Sequence, residues 1–180
     1  MFLLLIAANC WLWMQGVHEL GHVIAAKLSG GSVSKVVWWP TSISRTDVDP
    51  NPHPLIVCWS GPLFGSLLPL IAAMWLAAAG RRSSAAKFFA GFCLIANGAY
   101  LSVGSIDGVG DAGTLLSLGA PVAVLWSVGG VFVFGGLLIW HRLGRATDVL
   151  RCAVSVRECG RQLLLLLATI SVMVLCFAAE

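Results

Sequence analysis

Five apolar segments constrain this chain more than any other feature, because each approaches the length that crosses a lipid bilayer. A spanning helix needs about 20 mostly apolar residues. Hydrophobic residues make up 58% of the chain and charged residues only 11%, whereas soluble domains carry roughly 25% charged residues. We therefore predict an all-α, multi-pass membrane protein with about five transmembrane helices, at residues 2–28, 55–79, 88–106, 120–140 and 162–178.

The chain length of 180 residues predicts one membrane-embedded domain over residues 1–180, with no room for a soluble module of ordinary size. The net charge of +3 comes from basic residues that lie between apolar segments. This pattern is typical of membrane topology rather than of a nucleic-acid surface. The predicted partner is therefore the lipid bilayer, in the cell (inner) membrane if the source is bacterial, and not nucleic acid. The oligomeric state stays open.

The longest polar stretch, residues 29–54, separates the first two apolar segments. Glycine and proline residues interrupt it, which is typical of a loop. Residues 33–39 and 41–48 are rich in β-branched and aromatic side chains, which favours strands. We expect a short β-hairpin between the first two helices.

The first apolar segment contains His18-Glu19-Leu20-Gly21-His22. Histidines four residues apart lie on one helix face and can share one zinc ion, while the glutamate acts on a metal-bound water. If Lys27 marks the membrane surface, His22 and His18 lie about 8 and 14 Å below it. The pentad predicts a metallohydrolase site within the membrane, with His18 and His22 as metal ligands and Glu19 as the catalytic base.

A catalytic zinc site needs a third protein ligand and an open position. Threading the helices in order brings four aspartates to the membrane face near the histidines: Asp47, Asp49, Asp107 and Asp111. The first two lie in the solvated loop, whereas carboxylates at membrane depth are costly and are functional candidates. Asp107 and Asp111 remain, both in the glycine-rich turn after the third segment, and an aspartate suits the N-cap of a following helix.

These motifs together resemble the site-2 protease family of intramembrane zinc metallopeptidases over roughly residues 10–118. The resemblance rests on the pentad, on Gly61-Pro62 in the second segment, on Asn97 in the third, and on Asp111-Ala112-Gly113-Thr114-Leu115-Leu116. It implies that the core covers about 1–118 and that the helices at about 120–178 close the domain. It also implies Asp111 as the third zinc ligand, with Asp107 as the alternative.

Asn97 corresponds to an asparagine that the family uses to orient substrate. The family usually has an Asn-x-x-Pro shortly before the aspartate, whereas here Tyr100 stands where the proline would be and Asn97 lies fourteen residues before Asp111. Asn97 is therefore a predicted substrate-binding residue, with a buried amide that bonds a neighbouring helix as the alternative. Gly61 and Gly65 are spaced for close helix contact, and a role beside the site is the second interpretation.

The sequence favours an intramembrane zinc endopeptidase that binds one Zn²⁺ and hydrolyses membrane-anchored protein substrates. Two alternatives stay open: a non-proteolytic membrane protein that binds or transports a divalent metal, and an inactive, protease-like scaffold. Glu19 separates the first alternative from the enzyme, because a transporter needs no general base.

The distribution of basic residues predicts an orientation that differs from the family's. Lys27, Lys35 and Arg45 lie on the side of the site, and eight basic residues lie on the other: Arg81, Arg82, Lys87, Arg142, Arg145, Arg151, Arg157 and Arg161. The positive-inside rule makes this second side cytoplasmic. The resemblance implies instead that the site opens towards the cytoplasm. Which face it opens to stays open.

Overall fold

The computed structural model describes residues 1–81, 83–143 and 156–177. Over these ranges the chain forms six α-helices and one two-stranded sheet, which confirms the predicted helical class and the hairpin. The elements are α1 (Phe2–Leu28), β1 (Val33–Val37), β2 (Arg45–Val48), α2 (Pro54–Ala78), α3 (Ser84–Asp107), α4 (Gly110–Ser117), α5 (Val122–Arg142) and α6 (Val156–Phe177).

Four of the helices in the described ranges have the length and hydropathy of membrane spans, which indicates a membrane protein. They are α2, α3, α5 and the Val156–Leu175 portion of α6. Helix α1 is long enough, at 27 residues, but is not among the four, because it carries Asn9, Gln15 and the polar pentad. Asn9, Gln15 and the ionisable side chains of the pentad are buried in the protein, together with apolar residues of α1 such as Leu12 and Met14.

The antiparallel hairpin between α1 and α2 lies against the C-terminal end of α1. Its register pairs Val36 with Thr46 and Lys35 with Asp47. Val33 and Val48 pack on a small core that consists of Ala25, Ala26 and Val57. Because these contacts involve both strands and both flanking helices, the hairpin is fixed over the half of α1 that carries the pentad.

The turn after α3 determines where Asp111 lies. Helix α3 ends at Asp107, and Gly108 follows in the left-handed conformation. Helix α4 is held by Ala112 and Leu115, which are fully buried against α2 and α3. The expectation that Asp111 caps α4 is wrong: Val109 is the N-cap, and Asp111 lies in the first turn, where the helix dipole also stabilises a carboxylate.

Helices α5 and α6 lie outside the part of the fold that carries the pentad. Helix α5 packs along α3, and α6 contacts α1. The predicted span at 162–178 is part of α6, which begins earlier, at Val156. Residue 178 and the basic residues Arg82, Arg145 and Arg151, which contribute to the predicted orientation, lie outside the described residues.

Candidate metal centre

Helix α1 presents the three ionisable side chains of the pentad to the interior of the protein. His18, Glu19 and His22 are all buried, and one potential ligand atom from each lies within 4.8 Å of the others. The Nε2 atoms of the two histidines are 3.2 Å apart. The four-residue spacing therefore produces the geometry that the sequence predicts, a buried group that can hold a metal ion.

Asp111 brings a carboxylate to the same point from helix α4. Its Oδ2 atom is 2.8 Å from Nε2 of His18 and 3.3 Å from Nε2 of His22. Asp107, the alternative ligand, is exposed at the end of α3.

Hydrogen bonds on the far side of each imidazole fix which nitrogen faces Asp111. Nδ1 of His22 donates to the carbonyl oxygen of Val57 at 2.8 Å. Nδ1 of His18 lies 2.7 Å from Oδ1 of Asn97, whose amide nitrogen donates to the carbonyl oxygen of Cys93. Because both partners are acceptors, both histidines carry their proton on Nδ1. Their Nε2 lone pairs therefore point towards Asp111, as in metal sites with a supporting outer shell.

The three facing atoms are all acceptors when the imidazoles are neutral. Two Nε2 lone pairs and a carboxylate oxygen lie within 3.3 Å of one another, an arrangement that is repulsive unless a cation lies among them. One proton can form a hydrogen bond between only two of these atoms, whereas a divalent metal ion can accept a lone pair from all three. The donor set therefore fits a metal ion.

Gly61 on α2 leaves space beside the two imidazoles. A Cβ atom at this position would lie 2.7 Å from Nε2 of His18 and would overlap Nε2 of His22. Neither imidazole can move aside freely, because its Nδ1 atom is hydrogen-bonded. Gly65, one turn further along α2, is in similarly close contact with the side chain of Asn97. Both glycines thus serve the site as well as helix packing.

The four site residues, His18, Glu19, His22 and Asp111, come from two helices, α1 and α4, and the hairpin lies over them. Protein-family models, curated proteins and solved structures give no match to this chain. The chemical role of each side chain is therefore inferred from its distances, burial and hydrogen bonds.

Glu19 is held by the hairpin. The hydroxyl of Thr46 on β2 donates to Oε2 of Glu19 at 2.7 Å, and only 3% of the Glu19 surface is exposed. Both residues line a cavity of about 730 Å³ that also contains His18, His22 and Asp111. The carboxylate is therefore held beside the candidate metal ligands, at the wall of an open cavity.

Two side chains at the site are not among the residues that the sequence predicts for it. Thr46 reaches Glu19 only because of the strand register, which composition does not reveal. Tyr100 lines the cavity and contacts both His18 and Asp111. Its position three residues after Asn97 places it on the same face of α3, a signal that was present in the sequence. Asn97 itself is 1% exposed and bonded to His18; its role towards substrate stays a prediction.

Proposed function

We propose that this protein is an intramembrane zinc endopeptidase of the site-2 protease type, which hydrolyses peptide bonds of membrane-anchored proteins. The observation that carries the proposal is the convergence of His18, His22 and Asp111, from two helices far apart in sequence, beside the buried carboxylate of Glu19. Two imidazoles and one carboxylate with an adjacent glutamate form the residue set of a zinc hydrolase.

Zinc is the metal that best suits this donor set. Imidazole nitrogen and carboxylate oxygen bind zinc at about 2.0–2.2 Å, so that ligands of a tetrahedral ion lie about 3.3 Å apart. The three pairwise distances at the site are 2.8, 3.2 and 3.3 Å. Magnesium and calcium prefer sites composed of oxygen ligands. Three protein ligands leave one position of a tetrahedral ion open, which is typical of catalytic zinc.

Each residue around the donor set has a separate role in the proposed reaction. Bound zinc supplies a Lewis acid that acidifies water and polarises a carbonyl oxygen. Glu19 accepts the proton of the attacking water and then donates it to the amine that leaves. Thr46 holds one oxygen of Glu19 and leaves the other for this transfer. Asn97 and the Val57 carbonyl hold the histidines in the ligating tautomer.

The surroundings of the site favour membrane-anchored proteins as the substrates. Four helices with the composition of membrane spans accompany it, and the cavity lies between α1, α2, α4 and strand β2. Hydrolysis needs an extended substrate, because a helix uses its carbonyl groups in hydrogen bonds. Strand β2 lines the cavity and can pair with an extended segment through backbone hydrogen bonds.

The proposal is tested with the full chain in liposomes that also contain a reporter protein with one transmembrane helix. We expect cleavage of the reporter, its loss after treatment with a zinc chelator, and its recovery when Zn²⁺ but not Mg²⁺ is added back. The measurement is the appearance of the cleaved reporter by mass spectrometry, which also locates the cut. Cleavage that survives complete removal of zinc would contradict the proposal, and so would a zinc-loaded protein that cuts none of a panel of membrane-anchored reporters.

A further inference from the structure

Tyr100 is the only tyrosine of the chain, and it lies between two of the candidate metal ligands. Its ring meets the imidazole of His18 edge-on, with 5.9 Å between ring centroids and an angle of 75°. Its hydroxyl oxygen accepts a hydrogen bond from the backbone N–H of Asp111 at 3.0 Å. Tyr100 also lines the cavity that contains Glu19. The side chain is therefore part of the site and not of the surrounding helix packing.

The start of helix α4 is shaped around this hydroxyl. Gly110 has φ +58°, which few residues except glycine adopt, and a Cβ atom there would overlap the hydroxyl oxygen of Tyr100. The N–H of Asp111 then points at the same oxygen. Contacts with Gly110 and with the N–H of Asp111 fix the position of the hydroxyl group.

Within the described part of the chain, the proton of the Tyr100 hydroxyl has no protein acceptor. A hydroxyl group has one O–H donor and two acceptor lone pairs, and the N–H of Asp111 uses one lone pair. Among residues 1–81, 83–143 and 156–177, no backbone or side-chain atom accepts a hydrogen bond from this hydroxyl. A fixed donor beside metal ligands, in a cavity and without a protein partner, is preorganised for an oxygen atom of a bound molecule.

We propose that Tyr100 is a further catalytic residue, which donates a hydrogen bond to the scissile carbonyl oxygen and stabilises the negative charge that develops on it. This role rests on the proposed endopeptidase function. The oxygen of water bonds to the carbonyl carbon, and the π electron pair of the carbonyl moves onto the oxygen that Tyr100 contacts. When that pair re-forms the C=O bond, the C–N bond breaks, and the amine leaves with the proton from Glu19. Tyr100 keeps its own proton throughout.

The Tyr100→Phe variant separates this role from a structural one. Phenylalanine keeps the ring contact with His18 and removes only the hydroxyl. Loss of one such donor lowers kcat by about 100- to 1,000-fold in acyl-transfer enzymes. We expect a fall of that size in kcat for reporter cleavage in liposomes, with KM within about threefold of wild type and an unchanged zinc content.

Trp126→Phe is the matched control, because the indole of Trp126 donates to Ser105 at 2.8 Å and lies outside the cavity. It removes an aromatic donor elsewhere and should leave kcat unchanged. If the role of Tyr100 were only structural, its hydroxyl would hold Asp111 in place. Tyr100→Phe would then lose zinc, and saturating zinc would restore the cleavage rate. That result, or a Tyr100→Phe variant that cleaves at the wild-type rate, would overturn the catalytic role alone.

A wild-type protein that cleaves the reporter no faster than the background rate in protein-free liposomes would instead overturn the endopeptidase function, and the role of Tyr100 with it. A second measurement does not depend on how the Phe variant folds. Since Tyr100 is the only tyrosine, growth on 3-fluorotyrosine labels this site alone. Binding of a phosphinic peptide, which mimics the tetrahedral oxyanion, should shift the ¹⁹F resonance in wild-type protein. An unchanged resonance in protein saturated with the phosphinic peptide would contradict the contact.

Discussion

Replacing Glu19 by glutamine is expected to abolish cleavage while the protein keeps its zinc. Glutamine has the same shape, and its amide oxygen can still accept the hydrogen bond from Thr46. It cannot accept the proton of water or pass one to the leaving amine. Loss of a general base lowers rates by about 10²–10⁴-fold, so Glu19→Gln should leave reporter cleavage near the background. The measurement is the cleavage rate in liposomes together with zinc content by atomic spectrometry.

Glu158→Gln provides the control, because it makes the same chemical change at a residue of α6 that does not line the cavity. It should cleave the reporter as fast as wild type. A Glu19→Gln variant that loses its zinc would make Glu19 a metal ligand rather than a base. One that cleaves at the wild-type rate would contradict the mechanism. Zinc binding without cleavage by wild type would favour the metal-binding alternative, and a purified protein that holds no zinc would favour the scaffold.

Asp111→Ala is expected to remove the bound zinc, and Asp107→Ala is expected to leave it in place. Of the two aspartates, Asp111 reaches both histidines, at 2.8 and 3.3 Å, whereas Asp107 is exposed at the end of α3. Loss of a supporting partner of a metal ligand costs about 10–100-fold in affinity, and loss of the ligand itself should cost more. Zinc retained after dialysis against a weak chelator measures the difference, with cleavage as a second reading.

The two aspartates form a matched pair, because they flank the same turn between α3 and α4 and carry the same charge. Equal zinc retention by the two variants would remove Asp111 from the ligand set. Loss of zinc from Asp107→Ala alone would reverse the assignment. Circular dichroism of both variants separates loss of the metal from loss of helical structure.

The pentad and the hairpin could be predicted because their signals are local. Helical spacing alone places His18 and His22 on one face, and the run of β-branched residues between proline and glycine breakers indicates strands. Helix α1 is the partial exception. Its buried polar residues lower its hydropathy, so that a helix central to the site has the weakest apolar signal of the long helices.

The completion of the site depends on contacts between distant residues. Asp107 and Asp111 have the same chemistry in the same turn, and the burial of Ala112 and Leu115 against α2 and α3 decides between them. Thr46 reaches Glu19 through the pairing register of two short strands, which no local pattern specifies. Tyr100 differs from these, because its spacing from Asn97 already puts both residues on one face of α3; that this face contacts His18 is seen only in the structure.

The zinc K-edge X-ray absorption spectrum of the purified wild-type protein, with metal content measured on the same sample, tests the central claim most directly. We predict one zinc per chain, with two imidazole nitrogens, carboxylate oxygen from Asp111 and no sulfur in its inner shell. Cys58 makes the absence of sulfur informative, because its Sγ lies 3.8 Å from Oδ1 of Asp111. A protein without zinc, or a zinc ion bound by sulfur or by a single imidazole, would contradict the account.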